Sequence, residues 1–119
     1  MLTTLLKVDH VLFKSTAYSA VLDQDAQKTF VDHDNCRMGV WYKGAGREEF
    51  GHTKAFQEIG PLHAQLHNAV FKNQIFIKEN NVLKKENPQK IVKNFMDMEN
   101  ASERLFSKLD EMVEEHIKK

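Results

Sequence analysis

The sequence predicts an all-α domain, four-helix-bundle-like, with three long helices and one short helix that carries the only cysteine. Three observations lead there. Glycine and proline are few and clustered, five and two in 119 residues. The remainder is rich in Leu, Lys, Glu, Gln, Met and Ala, which favour helix. Apolar residues also recur at three- and four-residue steps over three long stretches. A chain of this length supplies one core, so a single domain over residues 1–119 is expected.

The first long helix is read from Leu2 to about Leu22, with Leu2, Leu5, Leu6, Phe13, Tyr18, Val21 and Leu22 at helical spacing and Thr3 or Thr4 as cap. His10 lies on or beside that stripe. Asp23 to Asn35 is polar, with an isolated Phe30, and suits a loop or a short turn of helix. Residues 36–44 are bounded downstream by Gly44 and Gly46, which predicts a brief helix delivered to the core by the loop. The second long pattern runs from about Thr53 to Asn80 through Phe56, Ile59, His63, Leu66, His67 and Val70. Gly60-Pro61 interrupts it, but the stripe keeps its phase, which predicts a kink and not a loop. Asn87-Pro88 is a start signal, with Asn as cap and Pro in the first helical position. Ile91, Phe95, Met98, Leu105, Leu109, Met112 and His116 then continue the third long helix.

Charge narrows the function. Lys plus Arg and Asp plus Glu balance at 17 each with no large block of one sign, which argues against nucleic acid or an anionic membrane as partner. No apolar run approaches the roughly 20 residues that span a bilayer, and no leader pattern opens the chain, so the expectation is a cytoplasmic protein without membrane insertion. One cysteine forms no internal disulfide. Cys36 is therefore buried filler, a reactive thiol or a metal ligand.

Six histidines are present, and a four-residue offset puts His63 and His67 on one helix face, close enough to grip one ion. Solvated or hydrogen-bonded imidazoles account for such a pair equally well. A bundle could bring His10 and Cys36 toward the pair. Three nitrogens and a thiolate would then form the closed tetrahedral set that zinc prefers and that leaves no open position for substrate. Each has a plainer reading too: Cys36 as a small buried hydrophobe, His10 as a satisfied histidine at the core edge. His33 competes as a ligand, because His-x-x-Cys can chelate from a loop. His52 and His116 fall near helix ends and read as structural.

The stretch Asp32-His33-Asp34-Asn35-Cys36-Arg37-Met38-Gly39-Val40-Trp41-Tyr42-Lys43-Gly44, with Val8-Asp9-His10 before it and Leu62-His63-Ala64-Gln65-Leu66-His67 after it, resembles the chemoreceptor zinc-binding (CZB) family. The resemblance covers His10 to about Val70, and the C-terminal helix matches only in kind. It implies one zinc ion bound by His10, Cys36, His63 and His67. His33 belongs to the motif without usually being a ligand. Gly39 and Trp41 resemble the family's packing residues, the glycine allowing close helix approach and the tryptophan covering the site, and plain core positions are the preferred reading of both. Family members sit on cytoplasmic chemoreceptors or beside a diguanylate cyclase, so the chain is either a piece of a longer receptor or a free-standing member.

The expected function is a zinc-binding sensory module of bacterial signal transduction and chemotaxis, not an enzyme. It would respond to zinc, to oxidants such as hypochlorous acid, or to both, with Cys36 as redox switch. Arg37, Asp32 and Asp34 are candidates for tuning that thiol, beside their plainer role as solvated loop charges. A homodimer coupled to a signalling domain is expected. Two alternatives stand: a zinc-stabilised dimerisation module without a sensing role, and a di-iron hemerythrin-like bundle, which would need bridging carboxylates.

Overall fold

The computed structural model describes residues 2–118. Those residues form five helices and no strand: α1 (Leu2–Leu22), α2 (Arg37–Lys43), α3 (Ala45–Phe50), α4 (Lys54–Lys78) and α5 (Asn87–Lys118). The long helices α4 and α5 make the main antiparallel pair, α1 packs on both, and α2 and α3 lie between α1 and α5. The molecule is a rod of 53 × 22 × 18 Å.

Apolar periodicity explains the main pair. Ile59, Leu66 and Val70 of α4 share one core cluster with Met98, Leu105, Leu109 and Met112 of α5, and Ile77 shares a second with Ile91, all of them buried. Burial of such side chains stabilises by about 1.5–3 kcal/mol each relative to exposure. Within this apolar seam sits one amide, Asn73, which is 2% exposed. Its Nδ2 donates to the Ile91 carbonyl at 3.3 Å, and its Oδ1 accepts from Asn94 Nδ2 at 2.9 Å. These bonds tie α4 and α5 together where the seam is polar.

Thr53 caps α4, its hydroxyl accepting from Phe56 N at 3.2 Å and donating to the Phe50 carbonyl at 2.8 Å. As expected, no loop opens at Gly60-Pro61. The helix runs unbroken through Pro61, whose ring lies on the exposed face. Asn87 begins α5, and its side-chain amide donates to the Asn81 carbonyl at 2.7 Å, closing the α4–α5 connection.

The short region corrects the sequence reading, because it holds two helices and not one. Gly44 ends α2, its N–H donating to the Val40 and Trp41 carbonyls, and α3 begins at the next residue. Gly46 lies inside α3: a Cβ there would stand 2.6 Å from the Trp41 ring, so the glycine is a contact requirement and not a helix boundary.

A candidate metal centre

Four side chains from three parts of the chain converge between α1 and α4. His10 comes from the middle of α1, His63 and His67 from successive turns of α4, and Cys36 is the N-cap of α2. One donor atom from each lies within 4.8 Å of all the others. The Nε2 atoms of His63 and His10 are 3.1 Å apart and those of His67 and His10 are 3.4 Å apart. Cys36 Sγ lies 3.2 Å from His63 Nε2 and 3.9 Å from His10 Nε2.

The four separations just given lie within about 0.4 Å of those that one tetrahedral ion sets. With Zn–N near 2.0–2.1 Å and Zn–S near 2.3 Å, tetrahedral angles place nitrogens about 3.3–3.4 Å apart and sulfur about 3.5 Å from nitrogen. The donor set is soft and nitrogen-rich, which suits zinc and not calcium or magnesium.

Two backbone carbonyls aim the imidazoles. His10 Nδ1–H donates to the Leu6 carbonyl at 2.8 Å, one turn back on α1. His67 Nδ1–H donates to the Val31 carbonyl at 2.9 Å, tying α4 to the loop before α2. With Nδ1 carrying the proton, Nε2 of each ring presents its lone pair to the centre. Phe13, one turn after His10, lies against the same rings, 4.4 Å from His67 and 6.4 Å from His10 between centroids.

The loop is shaped to deliver Cys36. Asp32 Oδ1 accepts from the backbone N–H groups of Asp34 and Asn35 at 3.0 Å and from Asn35 Nδ2 at 2.8 Å, which closes the turn just before the cysteine. Gly39 then lets α2 sit directly on that turn. A Cβ at this position would be 2.0 Å from the His33 carbonyl oxygen and 2.8 Å from the Asp34 carbonyl. The close approach expected of Gly39 is therefore helix to loop, not helix to helix.

Burial sets the charge state of the centre. Removal from water, reinforced by the neighbouring imidazoles, lowers His63 to about 2. Burial likewise lowers His67 to about 4, against the opposing pull of its Val31 bond, and it lowers His10. The Cys36 thiol is raised by burial, opposed by the backbone N–H groups of Gly39 and Met38. Before an ion binds, near neutral pH, the donors are thus three neutral imidazoles and a neutral thiol. A divalent cation would bind with release of the thiol proton.

Other sequence candidates fall outside the four-atom group. The His33 ring is 5.7 Å from His63 and 6.4 Å from His67, half-exposed, with Nε2 3.6 Å from Asp34. Trp41 is buried against Phe50 and Phe56 on the α3 side, so its contacts are those of a core residue and not of a cover for the site. Arg37 Nε lies 3.1 Å from Asp9 Oδ2, without hydrogen-bond alignment, and Asp34 pairs with Lys43. The acceptors that orient the ligand rings are the Leu6 and Val31 carbonyls, not the Asp32 or Asp34 carboxylates. Leu6 and Val31 carry no side-chain signal for this role. Phe13, three residues after His10 on one helix face, was open to a spacing argument.

The family model described as chemoreceptor zinc-binding domain matches residues 10–73, a span that begins at His10 and contains all four donors. The chain belongs to the chemoreceptor zinc-binding family. No curated protein and no solved structure matches it. As a CZB domain it is all-helical, with a His-Cys-His-His cluster able to hold a metal ion. No helix among the described residues is long and apolar enough to cross a membrane.

Proposed function

We propose that this CZB domain is a zinc-binding sensory module of bacterial signal transduction in which His10, Cys36, His63 and His67 hold one zinc ion and Cys36 receives the signal. The observation that carries the reading is the convergence of four donor atoms from α1, the start of α2 and α4 within 4.8 Å. Four protein donors leave no position for substrate, which supports a binding and not a catalytic role. The group of donors among the described residues contains no carboxylate, so a di-iron centre has no support from the site.

Accessibility of the sulfur favours sensing over a purely structural clip. Cys36 is partly buried, and with Asp9, Phe30 and Arg37 it lines a cleft of about 450 Å³ that reaches His10 and His67. Zinc holds the sulfur as thiolate, its nucleophilic form. Attack of the thiolate on the chlorine of hypochlorous acid expels hydroxide and gives a sulfenyl chloride, which water hydrolyses to a sulfenic acid with loss of chloride and a proton, so that sulfur loses two electrons overall. That product is a poorer ligand, and its loss frees the loop and α2 from α4.

We also propose that the module works as a homodimer attached to a signalling domain in the cytoplasm. Leu5, Val8, Val11 and Leu12 expose a broad apolar face of α1 that a second copy would cover. Light scattering on Leu5→Glu and Leu12→Glu should give the monomer mass with helicity unchanged, and a persistent dimer would rule out this face.

Metal analysis tests the central reading. Alanine variants at His10, Cys36, His63 and His67 should each lose bound zinc, whereas His33→Ala should keep it. Wild-type zinc content and oxidant response in Cys36→Ala would refute the assignment.

A further inference from the structure

A second pair of histidines meets at the α3 end of the rod. His116, in the last turn of α5, and His52, in the turn between α3 and α4, face each other with His116 Nδ1 3.4 Å from His52 Nε2. Their ring centroids are 5.2 Å apart. At 3.4 Å between these nitrogens one ring can donate a long hydrogen bond to the other. The same separation matches the roughly 3.3–3.4 Å that separates two imidazole nitrogens on one tetrahedral ion.

The scaffold holds both rings in place. The turn bearing His52 is closed by Thr53 N–H donating to the Phe50 carbonyl at 2.9 Å and by Gln57 Nε2 donating to the Gly51 carbonyl at 3.0 Å. On the other side Glu115, next to His116, accepts from Ala55 N at 3.1 and 3.2 Å, which docks the last turn of α5 on the start of α4. The His116 ring packs edge-on against Phe50 at 4.8 Å. Glu49 Oε2 lies 3.9 Å from His116 Nε2, the nitrogen turned away from His52. That carboxylate lies beyond hydrogen-bond reach and acts on the ring only as a nearby charge, while the Nδ1 side of the ring faces His52.

We propose that His52 Nε2 and His116 Nδ1 form a second site for an imidazole-preferring divalent cation such as zinc, with water completing the coordination. His52 precedes His63 by 11 residues, roughly 16 Å along a helix axis, so the two sites share no donor. With two protein donors and a solvent-facing position, the site binds more weakly than the four-donor centre. Its occupancy clips the last turn of α5 to the α3–α4 turn.

Zinc titration of the full chain by calorimetry tests this. Wild type should take up two equivalents, one tight and one weak. His52→Ala and His116→Ala should each weaken the second equivalent tenfold or more and leave the first unchanged. Unchanged far-ultraviolet circular dichroism keeps the variants comparable, and His116→Gln serves if the alanine variant unfolds. Cys36→Ala should lose the tight equivalent and retain the weak one, so failure of the four-donor centre is distinguishable from failure of this site. A single equivalent in wild type, or a weak equivalent that survives in the double variant, would overturn the proposal.

Discussion

Replacing Gly39 by alanine should uncouple zinc affinity from fold stability. The new methyl would stand 2.0 Å from the His33 carbonyl oxygen, and ordinary contact begins at 3.4 Å, so the loop must retreat by about 1.4 Å. The obstacle is backbone on both sides, which has no flexible end to swing away. Relieving such overpacking costs about 1–3 kcal/mol. Alanine inside α2 returns up to about 1 kcal/mol of helix propensity, so the metal-free protein should lose about 0–2 kcal/mol. The loop that retreats is the one that ends in Cys36. Displacing the elements that orient a ligand lowers metal affinity about tenfold to hundredfold, equal to about 1.4–2.7 kcal/mol. Thermal unfolding with and without zinc reads both quantities, because zinc stabilises the fold in proportion to the logarithm of its affinity. The variant should melt somewhat below wild type without metal and gain much less than wild type from zinc. Wild-type affinity in Gly39→Ala would show that the close approach does not position Cys36.

Two further outcomes follow from the same geometry. In the metal-free protein His63 and His67 titrate near 2 and 4 when folded, against an ordinary 6.5, so on acidification the unfolded chain takes up protons first. Stability from these histidines is complete above pH 6.5 and is lost as pH falls toward 4 and below, by up to about 1.4 kcal/mol per pH unit for each; a flat denaturant midpoint between pH 7.5 and 5 would contradict the burial argument. Thr53→Ala removes the α4 cap and should cost about 1 kcal/mol, read as a lower melting temperature with zinc stoichiometry intact.

Much of the fold was legible because its long helices are amphipathic. Leu2 to Leu22 and the start at Asn87 follow directly from apolar spacing and turn chemistry. The second short helix, α3, was not, since Gly46 reads as a breaker until the Trp41 ring is seen against it. Within the site, spacing alone paired only His63 and His67. The convergence of His10 and Cys36 depends on how α1 crosses α4, which the motif resemblance conveyed and periodicity did not. The carbonyls of Leu6 and Val31 are backbone atoms, so residue identity leaves no trace of their role.

A chain with a single cysteine has no disulfide, yet its donor set closes loops of disulfide size. Cys36 is separated by 26 residues from His10 and by 27 from His63. A cross-link over such a loop removes denatured-state freedom worth about 3.5 kcal/mol on the chain-entropy scale. With an ion bound, that staple answers to the environment with the opposite sign from a disulfide. Reductants that open sulfur–sulfur bridges leave it closed, and oxidants that form such bridges would undo it. A fold so fastened would hold firm under reducing conditions and would loosen on oxidation of its one sulfur.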